Sequence, residues 1–163
     1  MGKRRRARES AIQCLYQWDV TGADPDSILA GYWETHPDCE PEVREFMEEL
    51  FRGTITHVSM IDAMISEQMR HWRIDRLGRV EKGILRLGGY ELLHEAGTPA
   101  AVVIDEAVEL SKRFSGDEAG SFINGVLDGM REKTEGDPAV VPPEESAPAD
   151  GIGQRSEPPN ETR

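Results

Sequence analysis

Apolar positions recur along the chain at intervals of three and four, the signature of amphipathic helices. Residues 4–20 place Ile12, Leu15 and Tyr16 on one face, with Cys14 and Trp18 beside it. Gly22 follows as a stop signal, and Asp24-Pro25 reads as an N-cap with proline in the first helical position. A second helix is predicted over residues 25–34, broken by His36-Pro37-Asp38. A long pattern then runs from Pro41 to about Met69, through Val43, Met47, Leu50, Phe51, Ile55, Val58, Ile61 and Ile65. Gly53 and the trio Thr54-Ile55-Thr56 are expected to bend it. Asp75 reads as the N-cap of a helix through about Glu95, with Leu77, Val80, Ile84, Leu87 and Leu92 on its buried side. Gly88-Gly89 interrupts that helix at a cost of roughly 1 kcal/mol each relative to Ala, so a close backbone contact is expected there.

Gly97-Thr98-Pro99 marks the next boundary, with Gly ending one helix, Thr capping the following one and Pro in its first turn. Val103, Ala107, Leu110 and Phe114 form the buried stripe of that helix. After Ser115-Gly116-Asp117, a last helix carries Phe122, Val126 and Met130 on one stripe. Asn124-Gly125 in its middle are poor helix formers, which suggests a buried amide and close helix packing. No stretch alternates with period two. The fold class is all-α: a compact bundle of six to seven helices in two subdomains, spanning residues 1–133.

Charge changes this picture. The 163 residues hold 19 Lys+Arg against 31 Asp+Glu, a formal net charge of −12. Evenly spread, that balance argues against a nucleic-acid partner. It is not evenly spread. Residues 134–163 hold seven acids, two bases and six of the ten prolines. Such a composition cannot offset its ordering entropy by burial, which predicts a disordered acidic tail. The stretch Lys3-Arg4-Arg5-Arg6-Ala7-Arg8 has five bases and no acid, and residues 70–86 carry six bases against Asp75 and Glu81. Residues 19–49 carry ten acids and one base, Arg44. With screening over roughly 8–10 Å, the local patch matters more than the total.

Arginines at a helix start oppose the macrodipole, so another gain is expected from them. Arg offers bidentate phosphate contacts and stacks on bases; a solvated terminus is an equally good reading of the pattern alone. The spiral of bases over 70–86 reads by itself as a solvated helix face, and Trp72 as a core or hinge residue. Phe122 reads as core, with stacking on an unpaired base as the second option. Catalytic signatures such as GxxxxGK[ST], GxGxxG, HExxH and GxSxG are missing from the sequence, and no cofactor is implied. Cys14 and Cys39 have no metal spacing and suit a cytoplasmic protein with free thiols. No secretory signal or membrane-length apolar run is present. The expectation is a binding protein, not an enzyme.

Four separated segments carry a resemblance. Arg4-Arg5-Arg6-Ala7-Arg8-Glu9 followed by Ala11, Gln13, Leu15 and Tyr16 resembles the opening of the bacterial transcription antitermination factor family NusB. Val80 to Leu87 with Tyr90-Glu91-Leu92 resembles its central helix. Pro99 with Val103 to Phe114, and Phe122 to Asp128, resemble its last two helices. The resemblance implies binding of boxA-type single-stranded RNA in nascent ribosomal RNA leaders. It implies a heterodimer with the ribosomal protein NusE and action on the RNA polymerase elongation complex. By position, it makes Arg4, Arg5, Arg6, Arg8, Asp117, Glu118 and Phe122 RNA-contacting residues, with Lys82 and Arg86 as weaker candidates. Tyr16, Val20, Asp75 and Glu81 fall where the family meets NusE. Ser121 stands where many members place a basic residue. The alternative is a NusB-like helical RNA-binding or protein-interaction adaptor without an antitermination role.

Overall fold

The computed structural model describes residues 2–69, 74–94 and 97–136. Seven α-helices and one short 3₁₀ turn account for nearly all of them, and no strand occurs among the described residues. Helix α1 covers Lys3–Thr21, α2 Pro25–Thr35, α3 Pro41–Thr56 and α4 Val58–Gln68. The 3₁₀ turn is Ile74–Arg76, followed by α5 Arg79–His94, α6 Ala100–Ser115 and α7 Asp117–Gly136. Helix α7 runs three residues past the boundary expected at 133; the rest of the acidic tail, like Arg70, Trp72 and Arg73, lies outside the described residues.

The punctuation residues act as expected at two boundaries. Gly22 adopts φ 64°, and its N–H closes α1 on the carbonyl of Trp18. The carboxylate of Asp24 accepts from the N–H of Ser27, with Pro25 opening α2. Three others differ. The pattern from Pro41 to Met69 is two helices that part at His57. Gly53 makes room for a neighbour: the Tyr90 ring from α5 lies on it, and a Cβ there would sit 2.2 Å from Tyr90 Cζ. Asp75 lies in the 3₁₀ turn, four residues ahead of the first residue of α5, and so does not hold its N-cap position. Thr98 does not cap α6 either; Pro99 holds that position, and the Thr98 hydroxyl accepts from Arg4 instead.

Helix α5 is the axis. It packs against α1, α3, α4, α6 and α7, and the buried side chains of these helices form one continuous core. Its diglycine makes this possible. A Cβ on Gly88 would meet Leu127 Cδ1 at 2.9 Å, and one on Gly89 would meet Ile61 Cγ2 and Met130 Cε at 2.9 Å. The interior is mostly apolar, with Leu15, Met47, Leu50, Phe51, Ile84, Leu85, Ile123 and Leu127 fully buried; Arg8, Thr54, Glu91 and Ser111 are its buried polar residues. The last two helices depart from pattern at three positions: Phe114 is exposed, and so are Asn124 and Gly125, with open space beside the latter. No helix among the described residues is long and apolar enough to cross a membrane.

Candidate nucleic-acid interface

The first two turns of α1 carry five cations, and successive residues 100° apart cannot share one environment. Lys3, Arg4 and Arg6 point to solvent, Arg5 is half-buried and Arg8 is buried. Each finds a partner. Lys3 Nζ lies 3.0 Å from carboxylate oxygens of both Glu40 and Glu42. Arg4 donates to Thr98 Oγ1 at 2.8 Å, and its guanidinium lies 4.2 Å above the Phe46 ring. Arg5 forks onto both oxygens of Glu106 at 2.9 Å. Arg6 donates to Glu40 at 2.9 Å.

Arg8 is a correction. Expected as an RNA contact, its side chain is 4% exposed and is held by Glu91 of α5, which accepts from Arg8 Nε and Nη2 at 2.8–3.1 Å. Glu106 lies 4.0 Å from the same guanidinium. This pair is a core bolt between α1 and α5, not a surface phosphate ligand.

The corner between α6 and α7 lies beside this basic turn, because Arg113 pairs with Glu9 of α1. Asp117 and Glu118 open α7 at this corner and are exposed. As acids in a first turn they suit the positive end of the helix. Phe122 is half-buried and packs against the core, leaving part of its ring outside. Lys3 and Arg113 belong to the same cluster but were not singled out from sequence. Lys3 lay in the basic run that signals the site; Arg113 is placed there only by the fold.

Lys82 and Arg86, the weaker RNA candidates, lie apart from this cluster. They are 14% and 12% exposed and are engaged in an internal network. Asp19 receives Lys82 Nζ at 3.2 Å, Arg86 Nη1 at 3.2 Å and Arg79 Nη1 at 2.9 Å. Arg86 also forks onto Asp62 at 2.7–2.8 Å. Burial pushes the Asp19 carboxyl up, but Lys82 and Arg86 outweigh that and hold it below the usual carboxylate range.

This network ties the end of α1 to the start of α5 and so composes a different face. Tyr16 and Val20, one turn apart on α1, are 45% and 50% exposed. Glu81 is partly exposed in the first turn of α5, and Asp75 is exposed just before it. An apolar strip with acids near it is uncovered at one end of α1, while the arginine cluster occupies the other.

The fold and these two faces define an all-helical scaffold with a cationic start to α1 and, at its other end, an exposed apolar pair beside a network of mixed charge. The chain belongs to the NusB family, which residues 5–132 match. It is 42% identical over 134 residues to the transcription antitermination protein NusB of Solibacter usitatus, covering 82% of this chain and 91% of that one. Among solved structures it is similar to a chain in the structure of the antitermination factors NusB and NusE in complex with double-stranded RNA. That likeness has a TM-score of 0.74 and 32% identity, over 82% of this chain and 98% of that one. T. maritima NusB superposes with a TM-score of 0.73 and 36% identity, over 80% and 91%.

Proposed function

We propose that this chain is a transcription antitermination factor that binds boxA-type single-stranded RNA of nascent ribosomal RNA leaders as a heterodimer with NusE. In this reading it acts with the elongating RNA polymerase by binding alone, in the cytoplasm and without catalysis. RNA phosphates meet Arg4, Arg5 and Arg6, joined by Lys3 and Arg113. Phe122, with Asp117 and Glu118, reads unpaired bases at the α6–α7 corner by stacking and hydrogen bonding. Arg8 serves as a positioning residue that fixes α1 on the core. NusE, a ribosomal protein and so expected to be basic, takes the face of Tyr16, Val20, Asp75 and Glu81, where nearby acids favour it by charge.

The observation that carries this reading is the separation of the two faces along α1. RNA and a basic protein attract each other, and a scaffold that binds both needs surfaces of opposite character. Titration of labelled boxA RNA into the chain, alone and with NusE, tests it. We expect binding that is tighter with NusE and weaker for a scrambled RNA. No binding under either condition, or equal binding of the scrambled strand, overturns the proposal.

A further inference from the structure

Lys3 and Arg6 lie three residues apart on one face of the first turn of α1. Both reach the carboxylate of Glu40: Lys3 Nζ is 3.0 Å from Glu40 Oε2, and Arg6 Nη2 is 2.9 Å from Glu40 Oε1; Lys3 also lies 3.0 Å from Glu42, whereas Glu40 alone bridges the two cations. Glu40 is the N-cap residue of α3, a place where a polar side chain ordinarily accepts from the amides of the helix it opens. Its side chain makes no such bond. The carboxylate is turned across to α1, where two oxygens bridge two cations. Arg6 and Lys3 hold that carboxyl below its ordinary range, so it is ionised at neutral pH. Around it, α1 opens on Gly2 with no side-chain cap and no acid in its first turn. The site is thus a cradle for a bidentate oxyanion, filled in the free protein by a residue of another helix.

We propose that Glu40 is an internal competitor of RNA at this cradle, a carboxylate occupying the position of one RNA phosphate, and so a specificity-determining residue for RNA binding. The proposal rests on the RNA-binding reading above. All three side chains are roughly half exposed, so the pair is weak, screened and exchangeable. A phosphate presented in register by a correctly seated strand displaces it. One brought by a loosely bound strand must also meet the repulsion of Glu40. The carboxylate therefore lowers affinity for every RNA and lowers it most for the wrong ones.

Glu40→Gln tests this, because the amide keeps the shape and Glu40 makes no side-chain bond to α3 that the change could remove. With NusE present at low salt, we expect about two- to fivefold tighter RNA binding, the effect of removing one competing surface carboxylate and its two weak ion pairs. The ratio of boxA to scrambled affinity should fall. Glu34→Gln, an equal charge change on an exposed position of α2, should not reproduce the gain. Nor should Glu40→Gln tighten binding when Lys3 and Arg6 are both replaced by Met. Unchanged affinity in Glu40→Gln, while the unmodified chain binds boxA, overturns the proposal and leaves the proposed function standing. So does an equal gain from Glu34→Gln, or a gain that persists without Lys3 and Arg6. Failure of the unmodified chain to bind RNA with NusE overturns both.

Discussion

The two ends of α1 carry the same kinds of charge and use them differently. At its start, Lys3, Arg4 and Arg6 hold their acidic and polar partners in open solvent. At its end, Asp19 gathers Arg79, Lys82 and Arg86, with the two latter and Asp19 itself largely shielded. Exposed ion pairs are worth roughly 0–1 kcal/mol and exchange readily. Shielded ones cost several kcal/mol to break from one side. The same residue type is therefore an exposed, exchangeable group at one end and a structural strut at the other. Exposure decides which, and residue type does not.

Arg8 is the sharpest probe of this difference, since it sits in the basic run yet behaves as a strut. Arg8→Met should take from the buried Glu91 the guanidinium that holds it and cost about 3–5 kcal/mol of unfolding free energy in denaturant titration. Arg8→Met with Glu91→Leu should recover most of that loss. A stability change below about 1 kcal/mol in the single variant would place Arg8 with the exchangeable cations instead.

Asp19 breaks the comparison from the other end. Its carboxyl is depressed in the folded state, so its contribution is present above the unfolded value of about 3.9 and lost as pH falls below it. Asp19→Asn should cost about 1–3 kcal/mol at neutral pH. It should also flatten the fall in stability as pH drops below about 4, followed by circular dichroism. An unchanged acid limb would remove Asp19 as the anchor of the network.

The smallest stability effect belongs to the open end. Arg5→Ala with Arg6→Ala should alter unfolding by no more than about 1 kcal/mol, while lowering RNA affinity about tenfold or more at low salt. The slope of log affinity against log salt should drop by about 0.7 for each phosphate that the variant no longer neutralises. A retained slope means that these arginines do not meet phosphates.

Much of the fold was legible because local rules acted alone. Gly22, Asp24-Pro25 and the apolar spacing of α1 and most of α6 needed no partner to be read. The diglycine of α5 announced a close approach, and Leu127, Ile61 and Met130 supply it. Elsewhere tertiary contact overruled the local signal. The three-and-four pattern continues through His57 although the helix does not, and Gly53 answers to a ring from α5. Arg8 had a signal in plain view: it stands four residues before Ile12, on the apolar face, as Glu91 stands four after Leu87. One unpaired opposite charge on each of two buried stripes points to a buried pair, but only once the two stripes are known to meet. Lys82 and Arg86 read as a solvated spiral because Asp19 and Asp62 come from other helices. Phe114 fitted the stripe of α6 by spacing, yet it falls where the chain is about to turn into α7 and cover has run out.

Helix α1 runs unbroken from Lys3 to Thr21, bolted near its first turns by Glu91 and at its far end by the Asp19 network. Arg4 and Val20 are sixteen residues apart, which fixes them about 24 Å from each other at 1.5 Å per residue. The helix is in effect a ruler. Two ligands seated at its ends are held at one span, with no hinge between them to absorb an error. Any help that one gives the other then comes from their touching across that span, as two hands meet around a rod, and not from a change in the rod.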